Sequence, residues 1–163
     1  MKKTLLLMRH AKSDWNDATL SDFERPLNPR GRRSAPLMAE WLTEHDLVPD
    51  IVLSSTACRA RETAEIVTQT LQYRGPTQWI ERLYHAPPGI LIESIEQGGS
   101  QHNCLLLVAH NPGLESLVSS LSETFTAMPT AAIAWFEFES ETWQLSPRPS
   151  NFRLIQIACP KEL

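Results

Sequence analysis

The chain has 163 residues, a length that suits one domain with a sizeable core, and its apolar content of 42% and charged content of 21% are ordinary for a globular protein. The formal net charge of −4 argues against a general nucleic-acid-binding surface, which has to be basic. Three cysteines without framework spacing (Cys58, Cys104, Cys159), no apolar run near the roughly 18 residues of a membrane span, and an N-terminal apolar run too short for a signal peptide lead to the expectation of a cytoplasmic protein, without disulfides or membrane contact, forming a single domain over residues 1–163.

The first predicted element is "TLLLM" (4–8), a continuous apolar run as expected of a strand buried on both faces. It ends abruptly in Arg9 and His10. "RPLNPRGRR" (25–33) follows, with four arginines in nine residues; it reads either as a solvated loop and helix start or as a rim attracting an anionic substrate or acidic partner. A helix is predicted over 28–45, starting at Asn28-Pro29, and Pro36 inside it implies a kink or a later start. "DIVLSS" (50–55) is a second buried strand, and 57–71 a helix with Ala60, Ala64, Val67 and Leu71 on one stripe. Residues 87–95 suggest a short helix, "NCLLLVAH" (103–110) a third buried strand, and 111–121 a helix with Pro112 in its first turn. The alternation in "WFEFE" followed by "TWQL" predicts an antiparallel hairpin within 131–147, with one more strand at 152–157. Strands alternating with helices give an α/β fold, a three-layer α/β/α arrangement around a mostly parallel sheet with a C-terminal antiparallel hairpin.

In an open α/β sheet, ligands bind outside the carboxyl ends of the strands. The first strand ends in Arg9-His10, the second in Ser54-Ser55 with Arg59 in the next helical turn, and the third in His110. Two arginines and two histidines therefore converge on one edge. No carboxylate stands among them, so the expected site is cationic and suited to an anion with several oxygens, of which phosphate is the common one.

Three stretches carry a family resemblance. "RHAKSDWN" (9–16) resembles the Arg-His-Gly signature of the histidine phosphatase superfamily, the phosphoglycerate mutase-like fold, with Ala11 where glycine is usual. "SSTACRARETA" (54–64) resembles its second motif and "VAHNPGLESL" (108–117) its third. "DFERPLNPRG" (22–31) and "HNPGLE" (110–115) look most like the SixA branch of phosphohistidine phosphatases. The resemblance implies that His10 is the nucleophile, that Arg9 and Arg59 hold the phosphoryl oxygens and keep the His10 ring neutral, and that His110 hydrogen-bonds those oxygens. It implies no cofactor and no metal, because the arginines supply the charge. Asn16 matches an asparagine that contacts phosphate in the mutase branch; Ser13 and Ser55 are weaker candidates of the same kind. Glu81, in "WIERLYHA" (79–86), resembles the segment that carries a general acid in the mutases, with Asp22 or Asp14 as substitutes. The SixA branch generally lacks a dedicated donor, in keeping with the near-neutral imidazole leaving group of phosphohistidine.

Other features point elsewhere. Cys58 lacks the arginine six positions on that a cysteine phosphatase needs, since that position is Ala64. His45, His85 and His102 share no metal-ligand spacing and read as surface or loop residues, His85 being able to line a pocket mouth. The five tryptophans read as core and interface material. The expected function is a metal-independent phosphatase acting on phosphohistidine in a protein partner. The alternatives are a phosphatase of small phosphorylated metabolites or nucleotides, and a phosphate-binding domain without turnover.

Overall fold

A computed structural model describes residues 1–163. Six strands form one sheet: β1 (Lys2–Arg9), β2 (Ile51–Ser55), β3 (Thr77–Ile80), β4 (Cys104–Ala109), β5 (Ile133–Glu139) and β6 (Arg153–Ala158). Four helices, α1 (Pro29–Glu44), α2 (Cys58–Leu71), α3 (Pro88–Gly98) and α4 (Gly113–Ser122), connect them. The strand order is β3-β2-β4-β1-β5-β6. The first four strands in that order pair in parallel, while β5 runs antiparallel to both β1 and β6.

The apolar runs form strands because side chains alternate across the sheet and both faces are covered. On β1, Leu5 and Leu7 join a core cluster with Leu91 and Ile95 of α3 and Leu114 and Leu117 of α4. Leu6 and Met8 join the opposite cluster, with Met38 and Leu42 of α1 and Ala60 and Val67 of α2. The result is the expected three-layer arrangement, with α1 and α2 on one face and α3 and α4 on the other.

Helix α1 starts where expected: the Gly31 N–H donates to the Asn28 side chain at 2.8 Å and Pro29 occupies the first turn. Pro36 neither delays nor ends it, because Ala35, Met38, Ala39 and Leu42 around the proline are fully buried and outweigh the lost hydrogen bond. Gly31 lies directly against the backbone of Lys12, where a Cβ would overlap the Lys12 carbonyl oxygen. The start of α1 is thereby clamped beside the end of β1. Helix α4 begins at Gly113, with Pro112 just outside it rather than within its first turn.

The predicted 131–147 hairpin is corrected. Only β5 forms there, and its antiparallel partner is β6, separated from it by the thirteen residues 140–152. "TWQL" alternates because Trp143 and Leu145 are buried as loop anchors. The Trp143 indole donates to the His102 carbonyl at 2.7 Å, and the Leu145 N–H to Glu96 at 2.8 Å. Strand β3 carried no apolar run and was not expected; it is a partly exposed edge strand paired only with β2. The cysteines are free. No helix is long and apolar enough to cross a membrane.

Candidate active site

The parallel strands β1, β2 and β4 end together, and Arg9-His10, Ser54-Ser55 and His110 meet at that edge. Register fixes this convergence, since Arg9 lies opposite Ala109 and Ser54 opposite Val108. His10 and His110 are buried, with ring centroids 5.2 Å apart. Helix α2 brings Arg59, also buried, into the same space.

The tautomer of His10 follows from its partner. Nδ1 lies 2.7 Å from the Ala11 carbonyl oxygen, which can only accept, so Nδ1 carries the proton. Nε2 keeps its lone pair and accepts from Arg59 Nε at 3.4 Å. The Ala11 N–H donates to Thr63 Oγ1 at 3.0 Å, and Thr63 in turn donates to the Arg59 carbonyl, so the nucleophile loop and α2 are tied together. Burial first, then the Arg59, Arg9 and Arg25 charges, pull the His10 pKa down from 6.5 to about 3, against the Ala11 hydrogen bond.

His110 is held by Ser55, with Nε2 and Oγ 2.8 Å apart. The Ser55 hydroxyl already accepts the Ala57 N–H at 3.2 Å. Satisfying the most groups makes the hydroxyl donate to Nε2 and puts the ring proton on Nδ1. That Nδ1 is buried without a partner, and so is Nε of Arg9, whose Nη1 donates to the Met128 carbonyl at 3.1 Å. Burial and the neighbouring His10 and Arg59 charges bring the His110 pKa to about 2. Both rings are therefore neutral near pH 7.

One expectation about charge is overturned: a carboxylate does stand in this site. Asp22 accepts from Arg59 Nη2 at 3.1 Å and from the Tyr84 hydroxyl at 2.5 Å, and its backbone carbonyl accepts from Arg59 Nη1 at 2.7 Å. Arg25 is buried and donates Nε and Nη2 to Asp22 at 3.2 and 3.0 Å, and Nη1 to Ser13 at 2.7 Å. His85 Nε2 lies 3.4 Å from the Asp22 carboxylate. Partial burial works to raise the Asp22 pKa, but Tyr84, Arg25 and Arg59 outweigh it and hold the carboxyl far below the usual range. Asp22 is thus ionised near neutral pH, an orienting anion rather than a proton donor.

A neutral buried imidazole, two unpartnered buried donors and the Arg9 and Arg59 guanidiniums at the C-terminal edge of a parallel sheet form a receptor for a tetrahedral oxyanion. The N-terminal ends of α2 and α4 open at the same edge and add their positive poles. Residues 5–87 match the family described as the histidine phosphatase superfamily (branch 1). The chain belongs to that superfamily. An uncharacterized protein of Mycobacterium tuberculosis is 41% identical over 141 residues, spanning 78% of this chain and 84% of that one. Among solved structures, the protein histidine phosphatase SixA complexed with tungstate is 25% identical, superimposes with a TM-score of 0.82, and is covered over 98% of both chains. A structure assigned as a SixA phosphohistidine phosphatase from Nakamurella multipartitia shares the fold at a TM-score of 0.84 and 21% identity, over 98% of this chain and 97% of that one.

Within this histidine phosphatase architecture, the remaining expected residues divide. Ser13 and Ser55 take part as supports of Arg25 and His110. Asn16 is exposed, and its backbone N–H donates to Asp14 at 2.7 Å, while its side chain joins none of the site contacts. Glu81 is exposed in a short 3-10 turn (Glu81–Leu83) and engages none of His10, Arg9, Arg59 or His110. Its neighbour Arg82 pairs with Glu93 instead. Tyr84, three residues on, faces the site, edge-on to the His110 ring at 5.5 Å. His85 does stand at the mouth, in a left-handed backbone conformation with φ 54°. Trp15 is no core residue: it is 70% exposed, with the Arg25 guanidinium stacked 3.4 Å from its ring centroid.

Arg25 and Tyr84 were missed by sequence reasoning. Arg25 lay within a basic run that is surface on average, and Tyr84 beside a glutamate of more familiar chemistry. Neither carries a signal separable from its neighbours before the loop is folded.

Proposed function

We propose that this chain is a metal-independent phosphatase that works through a phosphoryl group carried on Nε2 of His10 and acts on phosphohistidine in a protein. The observation that carries the reading is the pair of buried donors without protein partners, Arg9 Nε and His110 Nδ1, beside a neutral His10 whose Nε2 lone pair meets only the Arg59 Nε–H, at a long 3.4 Å. Leaving such donors unpaired costs on the order of 1–3 kcal/mol each, a penalty that a bound oxyanion removes.

The Nε2 lone pair attacks phosphorus and the bond from phosphorus to the substrate nitrogen breaks. The departing imidazole takes up a proton from solvent water. Water then attacks the phosphoryl group on His10, the new P–N bond breaks, and phosphate leaves with Nε2 restored. Nδ1–H stays on the Ala11 carbonyl throughout, so the ring is held in one orientation and the charge it develops is shared with that carbonyl. The transition state is loose, so alignment by Arg9, Arg59 and His110 supplies most of the catalysis. Asp22 is ionised and Glu81 lies outside the contact network, which fits a leaving imidazole better than an alkoxide, because an alkoxide needs a strong proton donor. The likeness to SixA over the whole chain supports the same substrate class.

The test is intact-mass trapping with phosphoramidate in EDTA, for the wild type and His10→Ala, followed by phosphate release from a phosphohistidine protein. A one-phosphoryl adduct in the wild type alone, with release from the protein substrate, is the expected result. A folded wild type that binds phosphate but forms no adduct and releases none overturns the reading in favour of a binding domain.

A further inference from the structure

The basic run at 25–33 is only partly absorbed by the active site. Arg25 pairs with Asp22 and Arg32 with Glu62, whereas Arg30 makes no ion pair. Arg30 instead lines a groove of about 280 Å³ together with Arg9, Lys12 and Lys161. Thr130 and Ser34 add hydroxyls to the groove, and no carboxylate lines it.

Its location follows from the sheet. Because β5 and β6 are antiparallel, the start of β5 and the end of β6 lie at the same edge as the end of β1, with Ile133 opposite both Met8 and Ala158. The turn after β6, which carries Lys161, and the segment before β5, which carries Thr130, therefore border the active site on its β5 side. Lys12 and Arg30 come from the other direction, where the start of α1 is clamped to the nucleophile loop by the Asn28 N–H to Lys12 carbonyl bond at 3.0 Å. Arg9 belongs to both spaces. Lys12, Arg30 and Lys161 are exposed and have no ionic partner, although the chain as a whole is acidic at −4. Glu162 stands on the Lys161 turn next to Cys159 but is not part of the groove lining.

We propose that this groove is a second anion subsite that receives acidic side chains flanking the phosphohistidine of a partner protein, while the phosphoryl group sits at His10. The inference rests on the protein-phosphohistidine reading above. Four convergent cations in a lining that holds no carboxylate attract carboxylates both by steering and by direct pairing. The groove shares Arg9 with the catalytic site but is not lined by His10, Arg59 or His110, so a ligand that reaches both extends past Arg9 toward Lys161, as a polypeptide can.

The experiment compares three donors: phosphoramidate, a histidine-phosphorylated peptide flanked by glutamates, and the same peptide flanked by glutamines. Each is measured with the wild type and with the triple variant Lys12→Gln, Arg30→Gln, Lys161→Gln, which leaves Arg9 in place. The wild type is expected to prefer the glutamate peptide by about tenfold in kcat/KM at low salt, as a few exposed ion pairs allow, with the preference shrinking as salt is added. The triple variant should lose that preference and keep its phosphoramidate turnover. An unchanged preference in the triple variant overturns the subsite, and so does a parallel loss with phosphoramidate. If neither peptide is hydrolysed while phosphoramidate is, the substrate class itself is wrong and the groove's assigned occupant falls with it. Groove-dependent turnover of a bisphosphorylated small molecule alone would also assign the groove away from proteins.

Discussion

Asp22 engages both terminal nitrogens of Arg59, Nη1 through its backbone carbonyl at 2.7 Å and Nη2 through its carboxylate at 3.1 Å, leaving Nε toward His10. The guanidinium is thus aimed by a residue 37 positions earlier in the chain, on a loop that Tyr84 and Arg25 also hold. Asp22→Ala is expected to lower kcat/KM by about 10- to 100-fold, the scale of a misplacement of about 1 Å at a reacting centre. Asp22→Asn, which can still accept from Arg59, should lose less. Equal losses in the two variants would show that the negative charge matters rather than the aim. Steady-state kinetics with phosphoramidate across the two variants decides it.

The pH behaviour follows from two neutral imidazoles and one ionised carboxylate. His10 and His110 have folded pKa values of about 3 and about 2, against 6.5 when exposed. Below pH 6.5 the unfolded chain binds protons that the folded chain refuses, so stability falls as pH drops through that range, by up to about 1.4 kcal/mol per pH unit for each ring. Asp22, held low, adds a further loss as pH falls below the ordinary carboxylate range. Activity behaves differently, because His10 stays deprotonated. The kcat/KM for phosphoramidate, corrected for the donor's own ionisation, should show no enzyme inflection at pH 6–7, while urea midpoints decline from pH 6.5 to 4.5. An inflection near 6.5 that moves to higher pH in an Arg59→Ala variant would mean that His10 titrates in the folded enzyme and is not buried as described.

Ser55 sets the proton of His110. Its removal leaves the Ala57 N–H and His110 Nε2 both without a partner in a buried space. Ser55→Ala is expected to destabilise by about 1–3 kcal/mol and to lower kcat about tenfold, since Nδ1–H is no longer favoured over Nε2–H. Chemical denaturation gives the first number and single-turnover phosphoryl transfer the second. A stability loss without any loss in the transfer step would confine Ser55 to a structural role.

Much of this site could be read in the sequence because buried parallel strands leave continuous apolar runs. Where such a run stops in Arg9-His10, Ser54-Ser55 or His110, the edge of the sheet is marked. The rest depended on contacts that no local pattern encodes. Asp22 and Arg25 act through a loop that folds back across the strand ends, pinned by the Asp14 N–H to Pro26 carbonyl bond at 2.8 Å and the Leu27 N–H to Glu62 bond at 2.8 Å. "TWQL" imitates a strand because Trp143 and Leu145 are both buried from a loop, and alternation reports burial rather than hydrogen bonding. Strand β3 shows the reverse case, since an edge strand with half-exposed residues has no apolar period to display.

Glu81 separates two kinds of leaving group. It is exposed and outside the contact network, so Glu81→Gln should leave phosphoramidate and phosphohistidine turnover within about twofold of the wild type. Phosphate esters, whose alkoxide must be protonated, are expected to be poor substrates for both forms. Efficient ester hydrolysis that falls about 100-fold in Glu81→Gln would instead make this residue the proton donor and favour small phosphorylated metabolites.

Gly31 tests whether the clamp between α1 and the nucleophile loop matters to both stability and chemistry. A Cβ at this position overlaps the Lys12 carbonyl oxygen, which is backbone and cannot swing aside as a side chain would. That carbonyl also accepts the Asn28 N–H, so moving it weakens the start of α1 as well. Gly31→Ala in a helix would ordinarily stabilise by about 0.5–1 kcal/mol, because alanine loses less backbone freedom on folding. Here the overlap should reverse the sign and destabilise by about 1–3 kcal/mol, the usual cost of forcing atoms into a packed space. Because Lys12 follows Ala11, whose carbonyl orients His10, the displaced backbone should lower kcat with phosphoramidate along with the melting temperature. A more stable protein with unchanged kcat would mean that α1 can move away from the loop as a rigid body, and that the clamp does not position His10.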